Sequence, residues 1–178
     1  MSGVLAPNAK LRAAVTCIGR PEAETPAEVV VSRTMSVERY RMGLIVGSDA
    51  ERIDVDVDAS VTVACDADLM VRVVTNLLSN AIAVSSPDTR VDLSAHVVDG
   101  DVRIEVLDRG PGVADEHKDS IFDRFVQGPV AERTHSSGLG LTFCKLVMKA
   151  HGGSVTVQDR SGGGATFVAD LPGKGAED

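Results

Sequence analysis

The chain has 178 residues and a formal net charge of −8, from 26 acidic and 18 basic side chains. This length accommodates one domain with a short additional segment, which excludes an assembly of several domains. Hydrophobic residues make up 43% of the chain and charged residues 25%, a globular composition that excludes intrinsic disorder. The acidic balance and the aromatic content of only 3% argue against a surface that binds nucleic acid.

The apolar stretches are short, and none reaches the roughly 20 residues of a membrane-spanning helix. The first residues lack the basic start and the apolar run of a secretory signal. Three cysteines, Cys17, Cys65 and Cys144, lie far apart, which suits reduced, buried thiols better than a disulfide framework. These features predict a cytoplasmic protein without direct membrane insertion.

The N-terminal part has weak periodicity and is broken by three prolines. It predicts a short helix near residues 8–18, followed by a linker. From residue 27 onward the apolar spacing favours a helix that ends near Gly47. We therefore interpret residues 1–26 as an N-terminal arm, or as the remnant of a preceding helix and linker.

The next segment changes period. Alternating apolar residues predict strands over residues 53–57 and 61–64. A helix with a broad apolar face follows, capped by Asp66 or Asp68 and running to about Val84.

A β-hairpin comes next, with strands over residues 91–97 and 102–106. The dipeptide Asp99-Gly100 between them favours a type I′ turn. The second strand leads directly into the motif DRGPG at residues 108–112.

The next predicted element is a polar lid over residues 113–137, with one short helix near 117–125. A second long helix over residues 138–151 follows, and then two strands over residues 154–158 and 165–171. This order predicts an α+β fold. Helices would cover one face of a mixed, mostly antiparallel sheet.

Asn76 and Asn80 lie one turn apart at the edge of the apolar face of the first long helix. A helix interior disfavours asparagine, whose amide competes with backbone hydrogen bonds, so both side chains need partners. Either they cap a neighbouring loop, or one amide oxygen completes the coordination of a hydrated Mg²⁺ carried in on a nucleotide.

Two glycine-rich segments offer binding chemistry. In residues 108–112 the glycines allow the main chain to approach a flat ligand, and the carboxylate can accept a hydrogen bond from an exocyclic amine; a turn without a ligand is the alternative. Residues 136–141 place free N–H groups at a helix start, which accepts phosphate without net positive charge. Lid charges at Arg124, Arg133 and His135 could add to this site.

Six motifs occur together in one order: NLLSNA (76–81), DRGPGV (108–113), IFDRF (121–125), SSGLGL (136–141), AHGG (150–153) and GGGATF (162–167). They resemble the catalytic, ATP-binding domain of bacterial sensor histidine kinases. The first four are similar to that family's asparagine box, first glycine box, phenylalanine box and second glycine box. The resemblance covers about residues 27–172 and leaves residues 173–178 as a flexible tail.

The resemblance implies a two-layer α/β sandwich of the GHKL (Bergerat) type, which binds ATP and Mg²⁺ under a mobile lid. By position, Asn80 would bind Mg²⁺, Asp108 would read the adenine amine, and Gly110 and Gly112 would shape the adenine pocket. The remaining nucleotide contacts would come from Gly138, Leu139 and Gly140 at the phosphates and from Thr166 beside the adenine.

Asn76 falls where hydrolytic relatives of this superfamily carry a catalytic glutamate. An amide cannot act as a general base, which fits phosphoryl transfer to a protein better than ATP hydrolysis. Phe122 and Phe125 would be the hydrophobic part of the lid and contact the helix that bears the acceptor histidine. Ordinary anchoring of the lid in the core is the alternative for both rings.

The chain departs from the family at two points. Ala83 stands where the family often has a lysine near the phosphates, and none of the four histidines lies in a phosphoacceptor motif; His151 is predicted to be structural. We therefore expect a fragment or a split kinase that phosphorylates a histidine-bearing dimerisation domain in cis or in trans, with a response regulator downstream. It would be a monomer if isolated, cytoplasmic or the cytosolic part of a membrane-bound sensor.

Two other functions remain as alternatives. One is a non-catalytic, degenerate GHKL docking module, which Ala83 favours weakly and the intact Asn80 and Asp108 oppose. The other is a serine kinase of the type that restrains a sigma factor. The IFDRF segment argues against that kinase, because it resembles the histidine kinases.

Overall fold

The computed structural model describes residues 17–18, 47–57, 61, 63–123 and 139–173. The strands within these ranges are β1 Cys17–Ile18, β2 Ile53–Val57, β3 Val63–Ala64, β4 Val91–Val98, β5 Asp101–Leu107, β6 Ser154–Asp159 and β7 Ala165–Leu171. The helices are α1 Ala67–Val84 and α2 Gly140–Ala150, with 3₁₀ helices at Gly47–Arg52, Asp115–His117 and Ser120–Phe122.

Five of the strands form one mixed sheet in the order β2-β4-β5-β7-β6. Only β2 and β4 are parallel, and the other three pairs are antiparallel. β1 and β3 pair separately, in parallel. The α+β fold with a mostly antiparallel sheet is therefore confirmed.

Helix α1 begins where the carboxylate of Asp66 accepts the N–H of Leu69 at 3.1 Å, a normal N-cap. Its apolar stripe lies against the sheet and against α2. Each fully buried aliphatic side chain contributes roughly 1.5–3 kcal/mol. The buried apolar residues of α1 are Met70, Val71, Val73, Val74, Leu77, Leu78 and Ala81.

The hairpin between β4 and β5 has the predicted turn. Asp99 and Gly100 both have positive φ, 52° and 92°, as a type I′ turn requires. The register pairs Val97 with Val102 next to this turn. Alternate residues of β4 and β5 are buried, so one face of the sheet lies in the core.

Two elements differ from the prediction. Cys17 and Ile18 belong to a strand, not to the predicted helix over 8–18, because β3 offers them a backbone partner. The lid begins with two separate 3₁₀ helices where one short helix near 117–125 was predicted. The predicted helix before Gly47 and most of the arm and tail lie outside the described residues.

Neither described helix combines the length and the apolar character that a membrane span requires.

Candidate functional site

Asn76 lies on α1 at its contact with α2. Its Nδ2 donates to the carbonyl of Gly140 at 3.4 Å. It also contacts the thiol of Cys144, whose pKa rises to about 12 because the thiol is buried, an effect that the Asn76 hydrogen bond opposes in part. Asn76 therefore joins the two helices.

Asn80 lies one turn further along α1 and is half-buried. Within the described residues, its amide has no hydrogen-bond partner. Its amide oxygen therefore remains available to accept a bond from a ligand or to coordinate a metal ion. This distinguishes Asn80 from Asn76, although the sequence presents them as a pair.

Asp108 follows β5 directly and is 2% exposed. Its Oδ1 accepts two backbone N–H groups, from Gly110 at 2.8 Å and from Ala165 at 3.1 Å. The described residues offer no hydrogen-bond donor to Oδ2. A carboxylate oxygen that can still accept a hydrogen bond suits a ligand that brings an N–H group.

The loop after Asp108 packs closely on its neighbours. A Cβ at Gly110 would come within 2.7 Å of a methyl group of Val84 at the end of α1. Gly112 has φ +79°, a conformation that side chains rarely adopt, and a Cβ there would lie 3.3 Å from the carbonyl oxygen of Gly164. Both glycines are therefore required by the packing of the loop.

Arg109 ties this loop to the sheet. Its guanidinium forms an ion pair with Asp92 on β4 at 3.0 Å and donates to the carbonyl of Arg90. Its backbone N–H donates to the hydroxyl of Ser85 at 3.1 Å. Sequence analysis assigned no role to either Arg109 or Ser85.

The start of α2 lies next to α1. Gly140 is the first residue of the helix, and a Cβ there would lie 3.6 Å from the side chain of Asn76. Leu139 is the N-cap residue and is 44% exposed. Gly138, the third residue predicted at the phosphates, lies outside the described residues, as do Arg124, Arg133 and His135.

Thr166 lies on β7, paired with Leu107 of β5. Asp108 follows Leu107, and its N–H donates to the carbonyl of Ala165 at 2.9 Å. Because side chains alternate along a strand, Asp108 and Ala165 share one face and Thr166 lies on the other. The β7 residue directly beside Asp108 is Ala165, whose backbone N–H and carbonyl both bond to Asp108.

Phe122 is 4% exposed and packs edge to face against Phe167, with ring centroids 6.4 Å apart. This burial favours the alternative of lid anchoring over partner contact for this ring. Two ion pairs hold the same segment, Lys118 with Asp159 at 2.7 Å and Asp123 with Lys145 at 2.9 Å. Phe125 lies outside the described residues.

The described residues can hold Mg²⁺ only together with a bound phosphate group that supplies further ligands. The described residues contain no group of three or more histidine, cysteine or acidic side chains that could hold a metal. The Asn80 amide oxygen is a hard ligand atom that no other described residue bonds, and Mg²⁺ commonly takes few protein ligands and keeps waters and phosphates. One protein ligand is thus compatible with the ion.

Comparison with known families identifies the kind of domain. The profile of the family described as histidine kinase-, DNA gyrase B- and HSP90-like ATPase matches residues 65–175. This is more than half of the chain, and it includes Asn80, Asp108 and Gly140. The chain belongs to this family, and the domain is an ATP-binding catalytic domain of the histidine kinase type.

The similar proteins are sensor kinases. The chain is 35% identical over 153 residues to the sensor-like histidine kinase SenX3 of Mycobacterium tuberculosis, covering 84% of this chain and 36% of that protein. It is 36% identical over 107 residues to the sensor protein KdpD of Escherichia coli, covering 60% of this chain and 12% of that protein. The chain thus spans only a minor part of the length of these relatives.

Solved structures give the same result. The mycobacterial sensor histidine kinase MprB superposes with a TM-score of 0.63 at 30% identity, over 78% of this chain and 94% of that one. The catalytic domain of the histidine kinase ThkA superposes with a TM-score of 0.64 at 22% identity, over 78% and 93% of the two chains. At this level of identity, the similarity to ThkA concerns the fold alone.

Proposed function

We propose that this chain transfers the γ-phosphoryl group of ATP to a histidine side chain of a dimerisation domain, in cis or in trans, and that a response regulator acts downstream in the cytoplasm. The observation that carries the proposal is the buried Asp108 carboxylate: one oxygen accepts two backbone N–H groups, and the other has no donor among the described residues. An exocyclic amine of a purine supplies the missing N–H.

The phosphate end of the ligand would lie between the two helices. Asn80 on α1 would hold Mg²⁺, and the backbone at Leu139 and Gly140, with Gly138 before them, would bind phosphate oxygens. Mg²⁺, when bound, neutralises charge on the phosphates. The positive end of the α2 dipole adds to this, so a chain of net charge −8 can bind a polyanion locally.

Asn76 supports transfer over hydrolysis. Its amide is already bonded to Gly140 and contacts Cys144. An amide does not accept a proton at neutral pH, so this position cannot activate water as a general base. A positioned nucleophile on a protein partner then becomes the preferred acceptor.

The first test is calorimetric titration with AMPPNP, the analogue present in the solved ShkA structure, which is 30% identical to this chain. We expect saturable binding that Mg²⁺ strengthens. Asp108→Asn should abolish binding. The substitution replaces Oδ2 with an NH₂ group, and two hydrogen-bond donors, this NH₂ group and the adenine amine, would then face each other. Asp99→Asn at the hairpin tip is the matched control and should bind like the unsubstituted chain.

The metal role is tested separately with Asn80→Ala. This variant should bind the analogue equally with and without Mg²⁺, whereas Ser79→Ala, its neighbour on α1, should keep the Mg²⁺ effect. Full phosphotransfer by Asn80→Ala would end the metal assignment. Phosphotransfer itself is measured on a supplied dimerisation domain, where an acid-labile product indicates phosphohistidine and an acid-stable product indicates the serine kinase alternative.

A docking module without catalysis is the second candidate, favoured by Ala83, which is exposed on α1 and leaves no lysine at that position. A well-folded protein that binds neither the analogue nor its Mg²⁺ complex would support this module and contradict the kinase proposal.

A further inference from the structure

Ser85 connects the end of α1 to the loop that carries Asp108. It is the C-cap residue of α1, is 6% exposed, and its N–H donates to the carbonyl of Ala81 at 3.1 Å. Its hydroxyl oxygen accepts the N–H of Arg109 at 3.1 Å. One buried hydroxyl therefore joins the helix that bears Asn80 to the loop that follows β5.

Three successive N–H groups of this loop have three different partners. Asp108 donates to Ala165 on β7 at 2.9 Å, and Gly110 donates to the carboxylate of Asp108 at 2.8 Å. Of these three N–H groups, only that of Arg109 is bonded to the end of α1. The position of the loop is thus set relative to β7 by Asp108 and relative to α1 by Ser85.

Arg52 supports Ser85 from the other side. Its guanidinium donates to the carbonyls of Ser85 at 3.3 Å, Ser86 at 2.8 Å and Thr89 at 3.2 Å, and forms an ion pair with Asp49 at 3.0 Å. Carbonyls at a helix C-terminus lack intrahelical partners and carry negative partial charge, so one cation stabilises this end of α1. Arg52 is also the last residue before β2.

We propose that Ser85, held by Arg52, is a positioning residue for nucleotide binding. The inference rests on the proposed function of the same site. The Ser85 hydroxyl fixes the separation between Asp108, which contacts the base, and Asn80, which acts at the phosphates. A ligand that spans both residues depends on this separation, whereas a ligand that contacts Asp108 alone does not.

The test compares two ligands, AMPPNP with Mg²⁺ and adenosine, by calorimetric titration. Ser85→Ala should weaken AMPPNP binding about five- to tenfold, the effect of one lost hydrogen bond, and change adenosine binding less than twofold. Ser85→Thr keeps the hydroxyl in an extended backbone that β-branched residues accept, and should restore binding. Ser86→Ala is the matched control, because the Ser86 hydroxyl makes no hydrogen bond in the described structure.

Two further measurements follow the hydrogen bonds themselves. In the ligand-free protein, amide exchange at Arg109 should be faster in Ser85→Ala than in Ser86→Ala, with Asp108 and Gly110 unchanged. Arg52→Gln should weaken AMPPNP binding in the unsubstituted chain but add little in the Ser85→Ala background, since Arg52 acts through Ser85.

Equal losses of AMPPNP and adenosine affinity in Ser85→Ala, or binding like that of Ser86→Ala, would overturn the positioning role and leave the nucleotide site intact. If Ser85→Ala does not fold, Arg52→Gln is titrated with both ligands, and equal losses overturn the proposal in the same way. An unsubstituted chain that binds no AMPPNP would contradict the proposed function, and with it this inference.

Discussion

The backbone N–H of Asp66 donates to Nε2 of His151, with the two nitrogens 3.0 Å apart. The other ring nitrogen, Nδ1, lies 2.8 Å from the carbonyl oxygen of Val147. Because Nε2 accepts and a carbonyl cannot donate, Nδ1 carries the ring proton. One imidazole therefore connects the N-cap of α1 to the last turn of α2, which gives the predicted structural histidine its role.

Removing this imidazole should lower stability. His151→Ala loses two hydrogen bonds and leaves the Asp66 N–H without its partner, so the free energy of unfolding should fall by about 1–3 kcal/mol. Urea denaturation measures the change. His117→Ala, at an exposed site on the lid, is the control and should stay within about 0.5 kcal/mol of the unsubstituted chain. Equal stabilities for the two variants would contradict the helix-joining role of His151.

Thr142 on α2 has a buried hydroxyl for which the structure gives no hydrogen-bond partner. Thr142→Val replaces that hydroxyl with a methyl group and should raise the free energy of unfolding by about 1 kcal/mol. Thr75→Val on α1 is the matched substitution at a hydroxyl that donates to the carbonyl of Val71 at 2.8 Å, and it should lower stability by about 1 kcal/mol. A change in the free energy of unfolding of the same sign for both variants would show that the Thr142 hydroxyl does not differ from the bonded Thr75 hydroxyl.

Cys144 should make stability depend on pH in the alkaline range. Burial raises the pKa of its thiol from 9.0 to about 12 in the folded chain. Between these values the unfolded chain releases the proton and the folded chain retains it, so stability falls as pH rises. Relative to Cys144→Ala, the chain should lose about 1.4 kcal/mol of stability between about pH 8 and pH 10. If the difference in urea midpoint between the unsubstituted chain and Cys144→Ala did not change with pH, the folded chain would not disfavour the Cys144 thiolate.

Gly164 should not tolerate a side chain. Gly163 and Gly164 have nearly equal φ, +97° and +98°, but a Cβ at Gly163 meets open space, whereas at Gly164 it collides with the backbone of Asp108 and Arg109. Gly163→Ala should cost about 1–2 kcal/mol from strain alone, and Gly164→Ala at least about 3 kcal/mol. The second variant should also lose AMPPNP binding. Similar thermal stabilities of Gly163→Ala and Gly164→Ala would contradict the close contact between Gly164 and the backbone of Asp108.

Much of the fold could be predicted because its signals are local. Alternation identifies β4 and β5, Asp99-Gly100 specifies their turn, and the Asp66 N-cap starts α1. The chemistry of the site could be predicted by residue type, as for Asn80 and Asp108. The contacts of each side chain could not be predicted, since Asn76 and Asn80 carry the same amide and only Asn76 is bonded to another described residue.

The amino-acid sequence by itself determined the order of the strands and long helices from residue 53 onward, the turn chemistry and the residue types at the site, because each depends on neighbours a few positions away. Only the tertiary structure decided that β2 pairs in parallel with β4, that Thr166 faces away from Asp108, and that Ser85 holds Arg109. The bonded pairs Ser85–Arg109 and Asp66–His151 are 24 and 85 residues apart. Such contacts form only once packing brings distant segments together, and no local pattern encodes them.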